Sequence, residues 1–106
     1  MAADLYPPDQ LFEFTVRVFR HFDVPADDAR TAATVLQSAD LRGIDSHGVA
    51  RLHTYFDMLD LGRINPKAQV SIVRESASTA TVDGGNGLGL VVGPKANAIA
   101  MEKALA

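Results

Sequence analysis

The hydrophobic period of this chain changes once, near residue 65, and the change separates what can fold before it from what can fold after it. Up to that point apolar residues recur at spacings of three and four, which gathers them on one face of a helix. Leu11, Phe14, Val18 and Phe22 follow Pro7-Pro8-Asp9, so a first helix with proline in its opening turn is expected to stop near Asp23-Val24-Pro25. Pro25 is placed to open a second helix, with Asp27 and Asp28 at its positive end. Ala29, Ala32, Ala33, Leu36 and Ala39 give that helix a face of small residues, which requires close packing. After Gly43-Ile44, either Asp45 or Ser46 is placed to cap a third helix, whose Val49, Leu52, Phe56 and Leu59 keep the period until Gly62.

The second regime is shorter. Ala68, Val70 and Ile72, and later Ala80 and Val82, alternate with polar neighbours as half-buried strands do, with a hairpin turning near Ser76-Ala77-Ser78. Gly84-Gly-Asn-Gly-Leu-Gly89 is a permissive loop in which Asn86 suits a left-handed backbone position. Val91, Val92, Ala96, Ile99, Ala100 and Ala104 then form a last helix that Pro94 either begins or bends. The expected fold class is α+β, with a three-helix region over residues 1–64 and two strands, a glycine-rich turn and a helix over 65–106. Two strands rarely form a stable sheet alone, and the last helix reaches Ala106 without a Gly or Asn stop, so the chain reads as the start of a larger α/β domain.

Charge and composition narrow the function classes. The 106 residues carry 10 Lys+Arg against 13 Asp+Glu, and the basic residues are scattered from Arg17 to Lys103, so no stripe exists to neutralise phosphates and nucleic acid is not the expected partner. The absence of Cys excludes disulfides and thiolate metal sites and suits a reducing cytoplasm. No His-Glu-x-x-His or carboxylate loop offers a metal site. The longest apolar run, Gly87 to Gly93, is too short to cross a bilayer, and Met1-Ala-Ala-Asp4 lacks the basic start of a signal peptide, so a cytoplasmic protein away from membranes is expected.

Chemistry concentrates in Ala39-Asp-Leu-Arg-Gly-Ile-Asp-Ser-His-Gly-Val-Ala-Arg51. On a continuous third helix, His47 and Arg51 would lie within about 40° of each other and about 140° from the apolar stripe, able to reach one ligand. Histidine titrates near neutral pH and can pass a proton to a reacting oxygen; an arginine fork holds a carboxylate in two hydrogen bonds. The pair suits a small oxygenated acid. Ser46 is placed either to cap the helix or to hydrogen-bond the imidazole or the substrate. Met58 and Leu61 share that face and are apolar, as expected where something else covers it. The glycine loop fails the dinucleotide fingerprint, because Leu90 stands where a third Gly is required, and no Gly-Lys-Ser/Thr follows. A tight turn joining strand to helix is preferred there to an anion cradle. His21 is read as a helix-end residue, His53 as a packing residue, and Asp27, Asp28, Asp57 and Asp60 as solvated helix charges. Phe12, Phe14, Phe19 and Phe22 are read as packing surface.

The stretch Ala39 to Leu52, centred on Asp45-Ser-His-Gly-Val-Ala-Arg51, resembles the malate/L-lactate dehydrogenase family of NAD(P)-dependent oxidoreductases, a group distinct from the Rossmann lactate dehydrogenases. Gly62-Arg-Ile-Asn-Pro66, Thr81-Val-Asp-Gly84 and Gly87-Leu-Gly89 continue the likeness in order, so it covers about Tyr6 to Ala106. The family also includes ureidoglycolate and sulfolactate dehydrogenases and cyclic imino-acid reductases. The resemblance implies an acid/base His47 supported by Ser46, and an Arg51 that holds the substrate carboxylate. It also implies NAD or NADP as cofactor, a 2-hydroxy or 2-oxo acid substrate, a non-Rossmann nicotinamide-binding domain, and a homodimer with active sites between domains. Only the N-terminal portion of such a protein is matched, so the residues that hold NAD(P) and a further catalytic lysine are expected elsewhere, and the isolated chain is expected to be inactive. Leu90 departs from a Gln common at that position. The alternative is a stand-alone, non-catalytic helical interaction module derived from the same scaffold.

Overall fold

A computed structural model describes residues 4–106, and Met1–Ala3, which carry most of the segment read for a leader, lie outside the described residues. Four α-helices and one antiparallel hairpin follow the two regimes of the sequence: α1 (Pro8–His21), α2 (Ala26–Leu41), α3 (Leu52–Asp60), β1 (Ser71–Glu75), β2 (Ala80–Asp83) and α4 (Gly89–Leu105). α1 opens with proline at its first position and buries Thr15, Val16 and Phe19. It ends where Asp23 takes a left-handed conformation and the Val24 N–H returns to the Phe19 carbonyl. Pro25 precedes α2, as expected, although the helix proper begins at Ala26. The alanine face of α2 is buried at Ala29, Ala32 and Ala33, and the absence of larger side chains lets α1 and α4 both approach this helix.

One apolar cluster joins the helices to the segments on either side of the hairpin: Phe19 and Val24, both fully buried, share it with Leu36, Leu52, Ile64, Leu88 and Val91. Phe19 meets Tyr55 of α3 with ring centroids 6.3 Å apart, and Phe22 meets Phe56 edge-on at 5.0 Å. Phe14, read as packing surface, is instead 55% exposed. Asp28 is also not a free helix charge, because Lys95 Nζ lies 3.0 Å from its carboxylate and ties α2 to α4.

The hairpin turns at Ser76–Thr79, where the Ser76 N–H donates to the Thr79 carbonyl. Its register runs from Ser71 opposite Asp83 to Glu75 opposite Ala80, with an irregularity between Ile72 and Arg74. The alternating pattern predicts half-buried strands, and β2 keeps it, but β1 is exposed along its whole length, because among the described residues only two strands form and nothing covers its outer face. Lys103 of α4 holds the hairpin end, donating to the Ser76 carbonyl at 2.7 Å and pairing with Glu75 at 3.0 Å. Of the two places open to Pro94, the structure rejects the beginning of α4 and puts it inside the helix, where it removes one ladder donor. The radius of gyration, 15.4 Å, exceeds the roughly 13 Å of a compact chain of this size, in keeping with the uncovered strand.

Candidate functional site

The segment between α2 and α3 departs from the continuous helix its spacing predicts. Gly43 takes a left-handed conformation and closes α2, with the Gly43 and Ile44 N–H groups donating back to Asp40 and Ala39. Two single 3-10 turns follow, Asp45–His47 and Val49–Arg51, before α3 begins at Leu52. Gly48 separates them with φ −96° and ψ −141°, far from helical values. The helical-wheel angle between His47 and Arg51 therefore does not apply, and their relation is set by the two turns.

Those turns still bring both side chains to one place. A cavity of about 510 Å³ is lined by His47 and Arg51, by Val35 and Ala39 of α2, by Thr54, Tyr55 and Met58 of α3, and by Leu90 at the start of α4. This volume lies in the range of small-molecule sites. Ser46 links the pair. Its hydroxyl lies 2.8 Å from His47 Nδ1, and its carbonyl accepts a 2.8 Å hydrogen bond from Arg51 Nε. Of the roles open to Ser46, the structure adopts the contact to the imidazole, and it makes no side-chain cap. Among the described residues, His47 Nε2 and the two terminal nitrogens of Arg51 take no hydrogen-bond partner, and Arg51 forms no ion pair. Met58 joins the cavity wall, whereas Leu61 is 71% exposed outside it. Leu90 contributes apolar surface where an amide would offer a polar contact.

Asp40, in the last turn of α2, is a contributor that periodicity misses. Its carboxylate accepts the Val49 N–H at 2.9 Å, and Gly48 is buried so closely against it that a methyl group there would overlap the carboxylate. A partner nine residues away fits neither helical nor strand spacing, so only the presence of an acid inside the motif could have marked it.

The glycine loop behaves differently. Gly85 and Asn86 both take left-handed conformations, and the Gly87 N–H donates to the Gly84 carbonyl, which makes a tight turn. Asp83 accepts the Gly85 N–H at 2.8 Å, and Asn86 donates to the Arg63 carbonyl while accepting from the Asn65 N–H. The Gly85 and Gly87 amides are spent within the turn and the Asp83 carboxylate stands beside them, which is the tight turn between strand and helix that the sequence predicts. His53, read as a packing residue, is exposed and donates from Nδ1 to the Ala50 carbonyl. Among the described residues, no group of three His, Cys, Asp or Glu converges on a metal position, and no helix is long and apolar enough to cross a membrane.

A family model described as malate/L-lactate dehydrogenase matches residues 6–106. A malate dehydrogenase of Pyrococcus abyssi is 49% identical over 98 residues, which cover 92% of this chain and 27% of that protein. The L-sulfolactate dehydrogenase of Methanocaldococcus jannaschii is 45% identical over 97 residues, covering 92% of this chain and 28% of that one. Its solved structure superposes with a TM-score of 0.90 over the same shares of the two chains. The crystal structure of malate dehydrogenase from Entamoeba histolytica, 38% identical, gives a TM-score of 0.93 over 98% of this chain and 29% of that one. The chain thus spans between a quarter and a third of the length of the relatives it matches.

Proposed function

This chain belongs to the malate/L-lactate dehydrogenase family, and from that premise we propose that it forms the N-terminal portion of an oxidoreductase that interconverts a small 2-hydroxy acid and its 2-oxo acid. The observation that supports this most is the shared cavity of His47 and Arg51, one able to move a proton and the other to grip a carboxylate. In the direction of reduction, His47 Nε2 gives a proton to the oxygen at C2; in oxidation it takes the hydroxyl proton back. Ser46 holds Nδ1 and so directs the opposite ring nitrogen toward the cavity. The Ser46 carbonyl occupies Arg51 Nε, which leaves the terminal nitrogens as a fork for the two carboxylate oxygens and fixes where C2 sits.

A nicotinamide cofactor bound in the whole protein would supply hydride to C2 in reduction, as NADH or NADPH, and accept it in oxidation, as NAD or NADP. We read residues 1–64 as the helical N-terminal region and 65–106 as the start of the α/β domain, with the complete enzyme a cytoplasmic homodimer. Malate and sulfolactate, the acids named for the relatives, are 2-hydroxy acids of the size this cavity admits. No observation favours the stand-alone interaction module. The test is oxidation of NADH and NADPH by the full-length protein with a panel of 2-oxo acids, with and without a second acidic group. Saturable oxidation dependent on the 2-oxo acid is expected, and its absence across the panel overturns the proposal.

A further inference from the structure

The two turns that carry His47 and Arg51 are three residues each and lack the repeated ladder that makes an α-helix rigid. His47, Arg51 and Ser46 are all exposed, so packing does not confine them either. Their relative position depends on the junction between the turns, at Gly48 and Val49. One partly buried group acts on that junction: Asp40, whose carboxylate accepts the Val49 N–H at 2.9 Å and lies flush against Gly48. A hydrogen bond to an ionised acceptor is about twice as strong as a neutral one. Asp40 itself lines a different cavity, beside Tyr6, Gln37 and Asp45, and not the one shared by His47 and Arg51.

We infer that Asp40 is a positioning residue: resting on the function proposed above, it clamps the junction between the two turns so that the His47 proton and the Arg51 fork meet the same substrate. Releasing the clamp separates the acid/base group from the carboxylate grip, so its effect is expected on the oxo acid.

The experiment uses the full-length protein, with kinetics expressed per folded enzyme. Asp40→Ala is expected to lower kcat/KM for the 2-oxo acid by about 10- to 100-fold, raising its KM while the KM for NAD(P)H stays unchanged. Asp40→Asn keeps an amide oxygen for the Val49 N–H and is expected to recover to within about 3-fold of the parent. Three results overturn the inference: a folded Asp40→Ala with parental kinetics, an equal rise in the KM for NAD(P)H, or an Asp40→Asn no better than Asp40→Ala. Should Asp40→Ala not fold, Gly48→Ala replaces it, since its methyl group must displace the carboxylate. The same selective loss is expected, and parental kinetics overturn the clamp. If neither these variants nor Asp40→Asn fold, Asp40 serves folding alone and the inference falls. A wild-type protein without 2-oxo acid turnover defeats the proposed function instead. The clamp is then read from the His47 ring nitrogens by NMR, which Asp40→Ala must shift and Asp40→Asn must not; unshifted resonances in Asp40→Ala overturn it.

Discussion

Two glycine-containing loops each lead into a helix, one before α3 and one before α4, and they use their polar groups in opposite ways. In the loop before α4, the turn amides close on the Gly84 carbonyl and the Asp83 carboxylate, and Asn86 is pinned to the Arg63–Asn65 segment. The Gly85 and Gly87 amides and both ends of Asn86 are engaged in holding strand to helix. In the loop before α3, the backbone is held by Asp40, while Ser46 arranges His47 and Arg51 with their outer nitrogens uncommitted among the described residues. Glycine content therefore does not distinguish a binding loop from a structural one. What distinguishes them is whether the polar atoms are satisfied inside the protein.

The contrast can be broken by substitution. Arg51→Lys replaces a planar fork with a point charge, and kcat/KM for a 2-oxo acid in the full-length enzyme should fall by about 10- to 100-fold at unchanged melting temperature; steady-state kinetics with parental values would remove Arg51 from the carboxylate role. Gly87→Ala should do the reverse. A methyl group there comes within 2.8 Å of Ala68 Cβ, so denaturant unfolding should show a loss of about 1–3 kcal/mol, with turnover per folded molecule retained. Ser46→Ala removes the imidazole contact but not the carbonyl contact to Arg51. Turnover should drop by about 3- to 10-fold, corresponding to one neutral hydrogen bond, with the KM for the oxo acid little changed. The smallest effect is expected at the α2–α4 ion pair. Asp28→Asn should cost about 0.5 kcal/mol, an amount that vanishes in high salt, since Lys95 is 44% exposed.

Much of this fold is legible in the sequence, and the failures share a cause. Helix existence and ends follow from local signals: Pro8 and Pro25 at the starts, and Gly43 and Gly62 in left-handed conformations at the stops. The hairpin turn and the left-handed Asn86 are local too. In three of the places where the reading errs, contacts distant in sequence decide. The continuous third helix gives way to two 3-10 turns because Asp40 takes the Val49 N–H from nine residues away. Asp28 pairs with a lysine that no spacing rule connects to it, and β1 is left bare because burial depends on a covering layer, which alternation in sequence cannot supply. The same holds at the site. His47 and Arg51 are found from residue chemistry, but their meeting in one cavity, with Leu90 from a distant helix as part of its wall, is visible only in three dimensions.

The central claim is that the loop before α3 carries the proton transfer. It is tested most directly by turnover of NAD(P)H and a 2-oxo acid in full-length His47→Ala, measured beside its melting temperature. An exposed imidazole contributes little to packing, so the variant should keep the parental melting temperature while kcat falls by about 10²- to 10⁴-fold. A folded His47→Ala enzyme with parental kcat would contradict the account.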